Sequence, residues 1–209
     1  MTMSISHTLD TLALFPLQSV LFPQGLLSLK VFEARYLDLM SHCLREGTPF
    51  GVVRLTHGQE VHGTRDAISF EPTGCLAEVI ACDSTQPGIL QVRCRGAQRF
   101  KATRPQRGTD GLWSAQAELI DDDAQVLPPP EFLGATKALA QAIKALSLQG
   151  TLPFLEPYQL DQAGWVANRW CELLPIPQGA RQKLMELEDP LVRLKLVDEF
   201  LRSRGVIET

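Results

Sequence analysis

Apolar and polar positions along the chain fall into two regimes. Up to about Ile120 the apolar runs are short and often alternate with polar residues, the period of a half-buried strand. A first strand is predicted from about Leu12, interrupted around Phe22-Pro23, and a second over Leu26–Val31. Proline removes a backbone donor and fixes φ, so both Phe-Pro pairs belong at strand ends, edges or bulges. A helix follows over Phe32–Leu44, with Tyr36, Met40, Cys43 and Leu44 on one face, Gly47 as its C′ cap and Pro49 barring continuation. Further strands are predicted over Phe50–Leu55, Ile68–Phe70 (ended by Pro72), Cys75–Cys82, Ile89–Cys94, Gln98–Thr103 and Leu112–Ile120. Pro87-Gly88, Gly96 and Asp110-Gly111 read as turns, and the polar stretch THGQEVHGTRD as a hairpin loop or irregular excursion. In Ile89–Cys94 the residues Leu90, Val92 and Cys94 share one face, and Gln91 and Arg93, followed by Arg95, share the other.

The second regime starts after Asp121–Pro130, where three acidic residues and then three prolines make an extended, semi-stiff connector. Beyond it the apolar spacing becomes helical. Phe132, Ala135, Leu139, Ala142, Ile143 and Leu146 predict one helix, closed near Gly150. Asp161 is placed as the N-cap of a second, through Trp165, Val166, Trp170, Leu173 and Leu174. A third runs from about Ala180 to Glu188, and Asp189-Pro190 reads as N-cap plus N1 of a fourth along Leu191, Leu194, Val197 and Leu201. The expected fold is α+β. A β-rich subdomain over 10–122, a small antiparallel barrel or pair of packed sheets with one helix, precedes an α-helical bundle over 130–209.

Composition bounds the function classes. Hydrophobic residues make up 44% and charged ones 21%, a globular balance, and the net charge of -4 gives no general attraction to nucleic acid or an anionic membrane. No apolar run approaches the roughly 20 residues needed to cross a bilayer. The polar N-terminus lacks the pattern of a signal peptide. Five cysteines, an odd number without a Cys-x-x-Cys pair, read as small core residues of a reducing compartment. A cytoplasmic protein without membrane partners is expected.

The candidate chemistry is sparse. No Gly-Lys dipeptide occurs, which excludes a P-loop. His57 and His62 flank Gln59-Glu60, but this is not the His-Glu-x-x-His of a zinc helix and reads as a solvated hairpin. His42 and Cys43 are neighbours on a helix, about 100° apart, and do not form a ready thiol–imidazole pair. No catalytic set, metal or cofactor is therefore expected. Arg93, Arg95, Arg99, Lys101, Arg104 and Arg107 cluster locally, either as an RNA-binding patch or as the solvated face of two strands. Glu33, Arg35 and Tyr36 lie where strand becomes helix. Their local reading has the Glu at a helix N-terminus, favoured by the dipole, and the Arg tying a neighbouring strand; the alternative is a direct part in binding. Trp165 and Trp170 are not both centred on one helix face, so one is expected to pack between the two halves and the other to be an exposed anchor for a peptide.

The opening L-x-L-F-P-L-x-x-V-L-F-P-x-G, followed by F-E-A-R-Y, resembles the Lon protease N-terminal (substrate-binding) domain in its stand-alone form. FGVVRL, GCLAEVI and VRCRGAQRFKA continue the likeness, and so does KLMELEDPLVRL, Lys183–Leu194, so that it covers Leu12 to Leu201. The resemblance implies a PUA-like pseudo-barrel followed by helices, and a non-enzymatic module whose ligand is a polypeptide or protein. It further implies a shallow apolar groove between the subdomains, rimmed by arginine. The ATPase and peptidase modules of full-length Lon proteases would lie beyond this sequence, so ATP-driven proteolysis is not expected of it. Expected ligand-binding residues are Glu33, Arg35, Tyr36, Arg93, Arg99 and Trp165. RNA binding through the Arg93–Arg107 strand face is the alternative, kept open by the RNA-binding members of the PUA-type fold.

Overall fold

The computed structural model describes residues 8–58 and 68–208. The chain divides into two compact units, Met1–Asp121 and Asp122–Thr209. His62 and the Gln59-Glu60 pair lie outside the described residues.

The first unit contains strands β1 (Thr8–Leu17), β2 (Leu26–Val31), β3 (Phe50–His57), β4 (Ser69–Gln86), β5 (Ile89–Arg107) and β6 (Trp113–Leu119), with helix α1 (Ala34–Glu46) between β2 and β3. The sheet runs β2-β5-β4-β3-β1-β6, and β5 pairs again with β6. The last pairing closes a ring, β5-β4-β3-β1-β6, with β2 attached along the first half of β5. The pairs are antiparallel except β1 with β3, which run parallel from Leu14↔Gly51 to Leu17↔Arg54. The long connection from β1 to β3, which runs through β2 and α1, makes this possible, since parallel neighbours cannot be joined by a hairpin.

The faces of the sheet bury two clusters. Leu12, Leu14, Val53, Leu76, Phe100, Ala102, Ala115 and Ala117 form one. Its small residues let five strands close around the Phe100 ring: a methyl group added at Gly51 or Gly74 would lie 2.7 or 2.8 Å from Phe100 Cζ. The other cluster gathers Phe15, Leu17, Leu29, Val31, Phe50, Val92 and Cys94 with Tyr36, Leu39, Met40 and Cys43 of α1. Leu39 takes the place expected for Leu44, which is 51% exposed. Gly47 ends α1 at φ 66, as its position implied.

Two predicted breaks are absent. Pro72 does not separate strands, because β4 runs through it. Val53 pairs with Gly74 and Leu55 with Phe70, so Glu71–Thr73 form a bulge in which Pro72 needs no ladder bond. Gly96 is no turn either; it lies inside β5, with its N–H donating to the Gly25 carbonyl at 2.8 Å and its own carbonyl accepting from Gln24 N–H at 2.7 Å. A Cβ there would stand 2.1 Å from the Phe22 oxygen. Glycine is required because the Phe22–Gly25 turn rests directly on the strand.

The second unit consists of α2 (Leu133–Leu148), α3 (Ala163–Leu173), α4 (Gln178–Glu186) and α5 (Pro190–Ser203), with a short 3-10 turn at Pro130–Phe132. α3 is central, buried at every position from Ala163 to Cys171, and α2, α4 and α5 each pack on it. The indole N–H of Trp170 donates to the Ala135 carbonyl of α2 at 2.9 Å. Asp189 caps α5, its carboxylate accepting from Leu191 and Val192 N–H. Asp161 does not cap α3; the N-cap position is Gln162, without a side-chain bond.

Candidate functional site

At the entrance to α1, Arg35 is 8% exposed and committed to its own chain. Nη1 donates to the Gly111 carbonyl in the β5–β6 turn at 2.8 Å, and Nη2 meets Glu33 Oε2 at 2.8 Å. The guanidinium lies 4.5 Å from the centroid of the Tyr36 ring, which stacks on Phe15 at 3.9 Å and 16°. Glu33 occupies the N-cap position in extended conformation; its carbonyl accepts from Tyr36 and Leu37 N–H, but its side chain bonds no helix N–H. It serves the arginine instead. These three residues come together as a brace between a helix, a strand and a turn. The local reading describes this geometry, with Arg35 held through the Gly111 carbonyl.

The basic strand face is split by a bulge. Ala77 pairs with Gly96 and Cys75 with Arg99, so three positions of β5 span two of β4. The side-chain alternation therefore changes phase between Arg95 and Arg99. Before the bulge Val92 and Cys94 enter the α1 cluster and Arg93 and Arg95 face solvent. After it Phe100 and Ala102 enter the inner cluster, and Arg99 is only 2% exposed, donating to the Asp121 carbonyl at 3.2 Å. With Gln98, whose amide donates to the Ile120 carbonyl at 3.0 Å, it fastens the chain leaving β6. Arg99 is thus removed from the solvent face on which strict alternation placed it. Arg95 is exposed but paired with Glu78 at 2.7 Å, and Lys101 stands opposite Glu118. Arg93 is exposed, opposite Ser28 of β2 and Ala81 of β4.

In the second unit neither tryptophan is an exposed anchor; Trp165 and Trp170 are each 5% exposed. Trp165 has Phe154 and Tyr158 at 6.0 Å, and the fully buried Arg169 lies 5.6 Å from its ring. Arg169 also meets Glu172 at 2.9 Å. Burial pushes the Glu172 carboxyl up to about 7 against the opposing pull of Arg169 and Arg181. Burial likewise pushes the Cys94 and Cys171 thiols up to about 12. Both stay protonated near neutrality, which makes them poor nucleophiles. His42 is exposed, with Nδ1 3.4 Å from Arg45, while Cys43 is buried. Among the described residues no group of three or more His, Cys, Asp or Glu side chains could hold a metal ion, and no helix is long and apolar enough to cross a membrane.

The model of the ATP-dependent protease La (LON) substrate-binding domain matches residues 11–203. The chain belongs to the Lon substrate-binding domain family. A Lon N-terminal domain protein from Xanthomonas campestris is similar at 32% identity and a TM-score of 0.68, over 90% of this chain and 97% of that one. The N-terminal domain of the Mycobacterium avium complex Lon protease shares the fold at 11% identity and a TM-score of 0.65, over 91% and 97%. No curated protein matches the sequence. Family and neighbours make the chain a substrate-binding module.

The Lon-family Asp-Pro-x-x-Arg-Leu ending carries a network invisible in the sequence. Arg193, 1% exposed, donates from Nη1 to Asp123 Oδ2 at 2.5 Å and to Asn168 Oδ1 at 3.0 Å. Nη2 donates to Asp123 Oδ1 at 3.1 Å and to the Leu187 carbonyl, and Nε to the Leu184 carbonyl at 3.0 Å. One guanidinium thus joins the acidic connector, α3, the end of α4 and α5. Gly164 makes room, since a Cβ there would lie 2.4 Å from Asp123 Oδ2. The only sequence signals were the Asp121–Asp123 run and the arginine in the ending, and nothing local pairs them.

Proposed function

We propose that this chain binds polypeptide segments, unfolded or degron-bearing, and releases them chemically unchanged. The observation that carries the reading is the match to a substrate-binding domain from residue 11 to residue 203. Three features support it. Arg35 and Arg99 are buried and bonded within the first unit whereas Arg93 is exposed, which supports contact through the face around Arg93. Apolar side chains remain at the surface of the first unit, among them Phe32 at 48% and Ile80 at 43%, and these suit an apolar polypeptide. The Cys94 and Cys171 thiols are protonated, which does not suit covalent chemistry.

The test is fluorescence anisotropy of a labelled, reduced and carboxymethylated unfolded protein titrated with the chain, with its native disulfide-bonded form as control. Saturable binding of the unfolded form and recovery of intact label are expected. Absence of saturation up to high micromolar concentration overturns the reading, and fragments of the labelled protein overturn its non-catalytic part.

A further inference from the structure

We propose that the outer edge of β2 accepts an extended polypeptide segment with acidic side chains as an added strand of the sheet. This rests on the polypeptide-binding reading above and names how and what such a module would bind.

β2 pairs with β5 on one side only, and the strand order leaves its other side without a partner among the described residues. The hydrogen bonds say which residues face that edge. The Gly96 N–H reaches the Gly25 carbonyl, and pairing continues through Leu27↔Cys94, Leu29↔Val92 and Val31↔Leu90. In an antiparallel pair, bonded and non-bonded positions alternate. Leu27, Leu29 and Val31 therefore direct their N–H and C=O groups at β5, while Leu26, Ser28 and Lys30 direct theirs outward. No turn or loop backbone among the described residues pairs with those three. Ser28 and Lys30 are exposed, whereas Leu29 and Val31 are buried on the opposite face. The edge therefore combines a firmly packed inner face with open donors and acceptors, the arrangement that strand addition uses.

Charge selects the occupant. Ser28 lies opposite Arg93 and Lys30 opposite Gln91, so Lys30 and Arg93 are diagonal neighbours on the same exposed face. Arg95 is neutralised by Glu78, but Lys30 and Arg93 have no ion-pair partner among the described residues. A strand laid along β2 with carboxylates on that face meets both cations. A second copy of β2 would instead bring Lys30 and Arg93 against another Lys30 and Arg93, so self-pairing is disfavoured. Phe32, half exposed directly after the strand, offers an apolar contact at the end of the edge.

The test uses the whole chain and three probes: the unfolded protein above, a capped peptide Thr-Val-Glu-Val-Thr-Val-Glu-Val, and that peptide N-methylated at alternate residues. Ser28→Pro removes an outward N–H and places the proline ring on the edge, while the inward bonds of Leu27 and Leu29 survive. Loss of two or more main-chain bonds weakens peptide binding roughly tenfold or more. N-methylation should do the same to the wild-type chain, which covers the case in which Ser28→Pro fails to fold. Lys30→Glu with Arg93→Glu should turn the preference toward a Lys-bearing analogue of the peptide. Unchanged affinity for the N-methylated peptide, or for a folded Ser28→Pro variant, overturns edge docking while unfolded-protein binding stands. A wild-type chain that binds neither unfolded protein nor peptide overturns both readings. Poly-uridylate binding that is lost with Arg93→Glu but kept by Ser28→Pro would make the patch phosphate-directed, and strand addition falls.

Discussion

Arg193→Met tests how the second unit is held together. The methionine keeps much of the stem packing and removes the guanidinium, so the Asp123 carboxylate, the Asn168 amide oxygen and the Leu184 and Leu187 carbonyls each lose the bond that Arg193 donates. Side-chain exposure of Arg193 and Asp123 is 1% and 15%, so solvent replaces little of what is lost. Breaking one partner of a buried pair costs about 3–5 kcal/mol, because the other charge is left uncompensated. Domains are stable by about 5–15 kcal/mol, so the loss takes up a large part of the unit's stability. Asp123→Asn keeps an acceptor but no charge and should cost about 1.5–3 kcal/mol. The double variant should cost clearly less than the sum, since each substitution removes the same contact. Urea unfolding followed by far-UV circular dichroism measures helix loss, and tryptophan fluorescence in a Trp113→Phe background reports on Trp165 and Trp170. A loss below about 1 kcal/mol for Arg193→Met, or full additivity with Asp123→Asn, would refute the argument that this pair organises the unit.

Gly96→Ala places a methyl group against the Phe22 carbonyl and should destabilise the first unit by about 1–3 kcal/mol in urea; an unaffected midpoint would show that the turn can move aside. Glu172 carries a native pKa of about 7, above its unfolded value, so the native state is favoured while the carboxyl is protonated. Its contribution is fully present below the unfolded value near 4.5 and fades as pH rises through about 7. Urea midpoints at about pH 5 and about pH 8 should fall more steeply for the wild type than for Glu172→Gln, and parallel slopes would count against it. With Cys43, Cys75, Cys94 and Cys171 buried and Cys82 partly exposed, an aromatic disulfide reagent should modify Cys82 first, the others following only on unfolding; mass mapping of labelled peptides decides.

Much of the fold was legible in the sequence because periodicity reports a buried face locally. The switch from strand-like to helical spacing near Asp121–Pro130, the Gly47 stop and the Asp189-Pro190 start of α5 depend only on nearby residues. Expectations failed where a local rule met a distant partner. Pro72 and Gly96 read as breaks, but a bulge relieves the first and the Phe22 carbonyl explains the second. Arg99 shares its sequence parity with Arg93, yet the bulge between them sends it inward to a carbonyl. Trp165 has a polar edge suited to a surface, but Phe154, Tyr158 and Arg169 enclose it.

By itself the sequence determined the element types, the family and the absence of a phosphate loop, because these depend on residue identity and short spacing. Only the tertiary structure decided the parallel β1–β3 pairing, the closure of β5 on β6, the union of Asp123 with Arg193 across 70 residues, and the place of β2 at the end of the strand order beside Arg93. Strand pairing and buried ion pairs are choices among many partners of similar local chemistry. Such choices are settled by packing and hydrogen-bond satisfaction over the whole fold.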